Sequence, residues 1–122
     1  MTDYDELVDR YIALWNETDG ERRRVLIERT FAAGATYVDP LAASEGHTAI
    51  DAMVAAVQQQ FPDYRFRRKG AVAAHHDRIR FSWELAPENG PVFVDGTDFA
   101  VIADGRMASV TGFLDREPGA AS

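Results

Sequence analysis

The chain has 122 residues, of which 46 % are hydrophobic and 27 % are charged, proportions typical of a single globular domain. Its formal net charge of −7 disfavours nucleic acid or an anionic membrane as a partner, because phosphate groups bind to positively charged surfaces. The absence of cysteine excludes disulfides, thiolate catalysis and cysteine-bound zinc. The N-terminal residues resemble no signal peptide, and no apolar run reaches the ~18 residues of a membrane span. The sequence therefore predicts a cytoplasmic domain.

A single apolar stripe predicts the first helix. Its residues follow the i, i+3, i+4, i+7 spacing of one helical face and are Tyr4, Leu7, Val8, Tyr11, Ile12 and Trp15. Thr2 or Asp3 is the expected N-cap, and Asp19-Gly20 is the expected end of the segment. A second helix is predicted over residues 21–32.

A short strand and a third helix follow. Residues 35–39 are predicted to form the strand, and the small, polar residues 41–46 are predicted to form a loop. Thr48 and Asp51 have the spacing of a capping box with Asp in place of Glu, which indicates the start of a helix. Apolar residues then recur at helical spacing until Pro62, where the helix is expected to end.

From residue 64 onward the apolar period changes to two, which is typical of strands with one buried face. Turn-forming pairs at 76–77, 89–90 and 104–105 separate these strands. The predicted strands cover residues 64–75, 78–86, 92–103 and 106–115. Helices followed by an antiparallel meander indicate an α+β class, so residues 1–115 are predicted to form one domain and residues 116–122 a loose tail.

Four segments carry a resemblance to a known family. They are residues 9–16 (DRYIALWN), 31–40 (FAAGATYVDP), 46–50 (GHTAI) and 96–99 (GTDF). They resemble motifs of the SnoaL-like polyketide cyclases and ketosteroid isomerases of the nuclear transport factor 2-like superfamily, over about residues 9–115. The resemblance implies a cone-shaped, cystatin-like fold, with three N-terminal helices packed on a curved, mainly antiparallel sheet around a central apolar pocket.

Asp39 and Tyr11 are the candidate catalytic residues. By resemblance, Asp39 occupies the position of the proton-shuttling aspartate of ketosteroid isomerases, and an apolar pocket would make its carboxylate a better proton acceptor. The alternative is that Asp39 caps the following loop through Asx-type hydrogen bonds. Tyr11 matches the oxyanion-hole tyrosine, whose hydroxyl donates to a developing enolate. The alternative for Tyr11 is a core tyrosine whose hydroxyl meets a backbone carbonyl.

The third functional position of the isomerases is an aspartic acid on the third meander strand, kept protonated by its apolar site. A gapless alignment of the last hairpin places Thr97 at that position. Asp98 would then face away from the pocket, because successive side chains of a strand point to opposite faces. A bulge near Gly96 would exchange the two residues.

The remaining site candidates are residues that could line the pocket, although each is equally expected in a core. They are Trp15, Phe31, Tyr37, Met53, Val54, Phe61, Phe81, Trp83, Thr97 and Phe99. No histidines and carboxylates have a metal-ligand spacing such as HExxH, so no metal site is predicted.

The resemblance implies a cofactor-free isomerase or cyclase that acts by proton transfer on a small apolar carbonyl compound, such as a polyketide-like or steroid-like molecule. The alternative is a non-catalytic ligand-binding or dimerisation module of the same fold. Proteins of this fold usually dimerise through the exposed face of the sheet. A homodimer is therefore expected, with residues such as Phe93 and Val110 in its interface.

Overall fold

The computed structural model describes residues 4–116, which form three helices packed on one curved sheet of six strands. In chain order the elements are α1 (Tyr4–Asn16), α2 (Gly20–Thr30), β1 (Phe31–Val38), β2 (Ala43–Glu45), α3 (His47–Gln60), β3 (Tyr64–His75), β4 (Arg78–Pro87), β5 (Val94–Ala103) and β6 (Arg106–Arg116). The α+β class and the four strands of the meander are thus confirmed. Arg116, the first residue of the predicted tail 116–122, is the last residue of β6. The rest of that tail and the expected N-caps Thr2 and Asp3 lie outside the described residues.

The strand order in the sheet is β2-β1-β6-β5-β4-β3. All neighbouring strands are antiparallel except β1 and β6, which are parallel and pair Thr36 with Ser109. The helices cover one face of the sheet, and the apolar stripe of α1 is buried against it through residues such as Tyr11 and Trp15. The mainly antiparallel sheet expected from the sequence is confirmed.

The boundary between α1 and α2 differs from the prediction. Asp19 does not end α1 but is the N-cap of α2, because its side chain accepts a hydrogen bond from the backbone N–H of Arg22 at 3.0 Å. The end of α1 is instead held by Asn16, whose side chain bonds to the backbone N–H and C=O of Phe66 at 2.8 and 2.9 Å. These two bonds fix α1 on β3.

The segment between α2 and α3 contains more strand than the sequence predicts. α2 ends at Thr30, and the chain enters the sheet at Phe31, which pairs with Met107 of β6. The predicted loop 41–46 contains β2, whose three residues pair with the end of β1. A strand of three residues is too short to give an alternating pattern, and this explains why it was missed.

The predicted capping box at the start of α3 is wrong. The N-cap of α3 is Gly46, which has no side chain to accept a hydrogen bond. Asp51 points instead to α2, where its Oδ1 accepts a hydrogen bond from Nε of Arg23 at 2.6 Å. A buried cation thus determines the orientation of Asp51.

The outer face of the sheet, which carries no helix, exposes two aromatic rings. Phe99 is 45 % exposed and Phe113 is 53 % exposed, and their rings meet edge to face. The residues expected in a sheet-face interface are not on this face. Val110 belongs to the core on the helix side, and Phe93 packs against the ring of Phe61.

Candidate functional site

A cavity of about 720 Å³ lies between α1, α3 and the sheet. Seven of the predicted site residues line it: Tyr11, Trp15, Tyr37, Asp39, Met53, Phe61 and Trp83. The small side chains of Ala49, Ala52 and Ala56 on α3 keep the cavity open. Of the described residues that line the cavity, Asp39 and Asp98 alone are charged, so its wall has two acidic groups in a mostly apolar surface.

The other five predicted lining residues lie elsewhere. Phe31, Val54 and Phe81 are fully buried core residues behind the cavity wall. Thr97 and Phe99 are on the outer face of the sheet, where Phe99 borders a separate groove. For Thr97 and Phe99 the prediction assigned the wrong face of β5.

Asp98, not Thr97, is the residue of β5 that faces the cavity. Asp98 pairs with Phe81, which is in the core, whereas Thr97 pairs with Ser82 on the outer face. The hydroxyl of Thr97 donates to Asp115 at 2.7 Å and lies 3.0 Å from the hydroxyl of Ser82. The pairing of β5 and β6 shifts register twice, but both shifts skip a residue of β6, Asp115 and Ala108, so alternation along β5 is unbroken between Gly96 and Val101. The expected bulge near Gly96 is therefore not what turns Asp98 inward.

The carboxyl group of Asp98 is held by two neutral donors. The hydroxyl of Tyr11 donates to Oδ2 at 2.8 Å, and the indole Nε1 of Trp83 donates to Oδ1 at 3.0 Å. Asp98 is only 2 % exposed, and no cation is among its described hydrogen-bond partners. The hydroxyl of Tyr11 therefore donates its hydrogen bond to the side chain of Asp98, and not to a backbone carbonyl as the alternative interpretation expected.

Burial raises the pKa of Asp98 from 3.8 to about 6. The hydrogen bonds from Trp83 and Tyr11 oppose this rise in pKa, and the neighbouring carboxylates of Asp39 and Asp115 add to it. Burial also raises the pKa of Tyr11 well above its ordinary value of 10.0, with the charge of Asp98 as the next cause. Tyr11 thus keeps its proton, whereas Asp98 changes its protonation state close to neutral pH.

Asp39 follows β1 at the edge of the cavity and accepts three hydrogen bonds. Its Oδ2 accepts from the hydroxyl of Tyr37 at 2.6 Å, and its Oδ1 accepts from the backbone N–H groups of Leu41 and Ala42 at 2.8 Å each. The loop-capping interpretation of Asp39 is therefore correct, and the residue also lines the cavity. Leu41, at the tip of this loop, lines the cavity and is 80 % exposed, so it stands at the mouth.

Residues 4–116 contain neither a cluster of metal ligands nor a membrane-spanning helix. No group of three or more His, Asp or Glu side chains in this range is arranged to hold a metal ion. None of the three helices in this range has the length and apolar character needed to cross a membrane.

The family model of the SnoaL-like domain matches residues 8–110 of the chain. The chain belongs to the SnoaL-like family. No curated protein matches this SnoaL-like domain significantly.

Solved structures resemble the domain over nearly its whole length. A SnoaL-like protein from Agrobacterium tumefaciens str. C58, named as a proposed isomerase, is 42 % identical with a TM-score of 0.89, over 95 % of this chain and 100 % of that one. A proposed SnoaL-like polyketide cyclase from Jannaschia sp. CCS1 is 20 % identical with a TM-score of 0.68, over 91 % and 86 % of the two chains. A proposed ketosteroid isomerase from Kribbella flavida DSM 17836 is 18 % identical with a TM-score of 0.68, over 96 % and 81 %. The last two likenesses, below 25 % identity, show the fold alone.

The inward position of Asp98 in this SnoaL-like domain is the site feature that sequence reasoning left undecided. The sequence of β4, the preceding strand, contains a pattern that predicts this inward position. Phe81 and Trp83 belong to the apolar alternation of β4, and a residue paired directly with either of them must share its face. Counting the register across the 87–94 connection would have placed Asp98 opposite Phe81.

Proposed function

We propose that this SnoaL-like protein is a cofactor-free isomerase or cyclase that moves a proton on a small, largely apolar carbonyl compound. The observation that carries the proposal is the buried carboxyl group of Asp98, which is held by Tyr11 and Trp83 in the wall of an apolar cavity. A carboxyl group with a pKa of about 6 can both accept and return a proton near neutral pH. The names of the similar structures, an isomerase and a cyclase among them, agree with this chemistry.

The proposed reaction begins with the carboxylate of Asp98. It takes a proton from a carbon next to the substrate carbonyl, so that the C–H electron pair forms the enolate and an O–H bond forms on Asp98. The hydroxyl of Tyr11 donates to Oδ2 of Asp98 before the reaction. Once Asp98 carries the proton, this hydroxyl turns to donate its hydrogen bond to the enolate oxygen. Asp98 then returns its proton to a different carbon, which completes an isomerisation, or the enolate carbon attacks a second carbonyl of the same molecule, which closes a ring. In the cyclase case Asp98 gives its proton to the new alkoxide.

We assign the proton transfer to Asp98 rather than to Asp39 because the two carboxyl groups differ in burial and in the kind of donor that binds them. Asp98 is 2 % exposed, has a pKa of about 6 and accepts from the side chains of Tyr11 and Trp83. Asp39 is less buried, and two of its three hydrogen bonds come from backbone N–H groups that hold it in the loop. In this proposal Asp39 holds the loop at the mouth, so that Leu41 stays over the cavity. The apolar wall supports a substrate with a large hydrophobic surface and few polar groups.

The test measures exchange of α-hydrogens into deuterated water by NMR, with a panel of small cyclic ketones that includes a β,γ-unsaturated steroid ketone. We expect the Asp98→Asn variant to lose at least ~100-fold of the exchange rate, the usual contribution of a general base. The matched Asp39→Asn variant should lose less, because its side-chain oxygen can still accept the two loop N–H groups. A greater loss in Asp39→Asn than in Asp98→Asn would assign the proton transfer to Asp39 instead.

The pH dependence separates the two possible roles of Asp98. A proton acceptor must be ionised, so kcat/KM should rise with pH and reach half of its plateau at about pH 6. A protonated Asp98 that acted only as a hydrogen-bond donor to the enolate would give the opposite slope. Ketones that raise the melting temperature of the protein without any exchange would favour the non-catalytic binding module.

A further inference from the structure

Gly112 of β6 lies beside the carboxyl group of Asp98 and the Cβ atom of Asp39. A Cβ atom built on Gly112 would be 2.8 Å from Oδ1 of Asp98 and 3.3 Å from Cβ of Asp39. The first distance is shorter than real Cβ atoms tolerate, so any side chain at this position would require the carboxyl group of Asp98 to move. The backbone of Gly112 shows no positive φ, so its conformation does not require glycine.

The atom in conflict with a Cβ is the one that Trp83 binds. Oδ1 of Asp98 accepts the indole N–H of Trp83 at 3.0 Å, and Oδ2 accepts the hydroxyl of Tyr11. A methyl group on residue 112 would push against Oδ1 from the side of β6, whereas it has no direct conflict with Oδ2. The absence of a side chain at Gly112 therefore permits the hydrogen bond from Trp83 to Oδ1 of Asp98.

We propose that Gly112 is a positioning residue, which lets the carboxyl group of Asp98 lie against β6, bonded to Trp83 and beside Asp39. This inference extends the proposed function, because it concerns how the proton acceptor is held. Among the described residues, β6 contributes no titratable group to the cavity wall. In this proposal β6 nevertheless helps to set the geometry of the two acids. Gly112 touches no substrate in this proposal and acts only through Asp98.

The experiment follows the carboxyl carbon of Asp98 by ¹³C NMR while the pH is changed, so it needs no substrate. The groups that influence this titration are Tyr11 on α1, Tyr37 and Asp39 at the end of β1, and Asp115 on β6. In the Gly112→Ala variant we expect the new methyl group to displace Oδ1 and to break the bond from Trp83, which lowers the pKa of Asp98. We expect the midpoint to rise above about 6, and we expect Trp83→Phe to raise it as well.

The double variant makes the test specific. If Gly112→Ala acts through the bond to Trp83, adding Trp83→Phe should raise the midpoint no further, because the same bond cannot be lost twice. Gly34→Ala is the matched control, since a Cβ on Gly34 meets no atom within 4 Å, and it should leave the midpoint unchanged. An unchanged or lowered midpoint in Gly112→Ala, or full additivity in the double variant, would overturn the proposal.

A second measurement covers the case in which Gly112→Ala folds poorly. Replacing Asp98 by alanine removes the oxygen that the new methyl group meets, so the urea midpoint lost through Gly112→Ala should be largely regained in the Asp98→Ala background. No recovery would show that residue 112 requires glycine for reasons unrelated to Asp98. Because neither measurement depends on turnover, the inference can fail while the proposed proton transfer holds, and the reverse is equally possible.

Discussion

Asp98 makes the stability of the folded protein depend on pH. Its carboxyl group has a pKa of about 6 in the folded protein and an ordinary value of 3.8, and burial is the main cause of the difference. Between these two pH values the folded chain binds more protons at this residue than the unfolded chain does. The free energy of unfolding therefore falls as the pH rises from below 4 through about 6.

We expect the Asp98→Asn substitution to remove this pH dependence. The difference in unfolding free energy between the variant and the wild type should change by about 2 kcal/mol in favour of the variant between pH 4 and pH 7, since one pKa unit corresponds to about 1.4 kcal/mol and the two pKa values lie about two units apart. Urea unfolding of the variant and the wild type at a series of pH values measures this difference in unfolding free energy. Asp104→Asn, at an exposed turn, is the control. A difference between Asp98→Asn and wild type that stays constant over this range would contradict the prediction.

At the level of single side chains, the sequence predicts the site only where one face of an element is clearly apolar. Tyr11 belongs to an unambiguous helical stripe, and it lies in the cavity wall as expected. β5 gives no such signal, because Phe99 and Val101 on one face are as apolar as Ala100 and Ile102 on the other. The orientation of Asp98 is determined by pairing with β4, and local alternation could not decide it.

Among the elements, α2 and α3 are joined by a buried polar network centred on Arg23. Its Nε donates to Asp51 at 2.6 Å, and its Nη1 donates to the side chain of Gln58 at 3.0 Å and to the backbone oxygen of Glu17 at 3.1 Å. Gln58 donates in turn to the backbone oxygens of Trp15 and Glu17 at the end of α1. The network ties three helix segments together and fixes α3, which forms one wall of the cavity.

We expect Arg23→Ala to lower the free energy of unfolding by about 3 kcal/mol, because it leaves the partly buried Asp51 without its cation. Arg22→Ala is the matched control. The adjacent Arg22 side chain is 77 % exposed and should contribute at most ~0.5 kcal/mol. Urea unfolding of the two variants at neutral pH measures the effect. Equal midpoints for the two variants would show that the network adds nothing to stability.

Elements with a clear periodicity or strong turn signals were predicted from the sequence, and those defined by long-range pairing were not. The three helices and the four meander strands agree with the prediction to within a few residues. The early start of β1 at Phe31 and the whole of β2 were missed, because both depend on partner strands that are distant or very short. The capping box failed because Asp51 has a stronger partner in Arg23 than the helix N-terminus offers.

On the scale of the whole molecule, the outer face of the sheet is the surface where the expected homodimer would form. We propose that its interface includes Phe99 and Phe113, whose exposed rings touch on this face, in place of Phe93 and Val110. Phe113→Ser should then convert a dimer to a monomer in sedimentation velocity experiments. Val25→Ser on α2, which removes an equally exposed apolar side chain, should leave the dimer intact. A wild-type protein that sediments as a monomer would exclude the homodimer.

The parallel pairing of β1 with β6 has a consequence for the order in which the site is assembled. The hairpins β3–β4, β4–β5 and β5–β6 join neighbours in sequence, whereas β1 must find a partner near the other end of the chain, Thr36 beside Ser109. Contacts between distant segments close slowly, because they require a large loop to be ordered first. Asp39 follows β1 and Asp98 belongs to the meander, so the two acids meet only after this closure. A chain still emerging from the ribosome, with β6 not yet synthesised, has both acids but lacks the strand that brings them together.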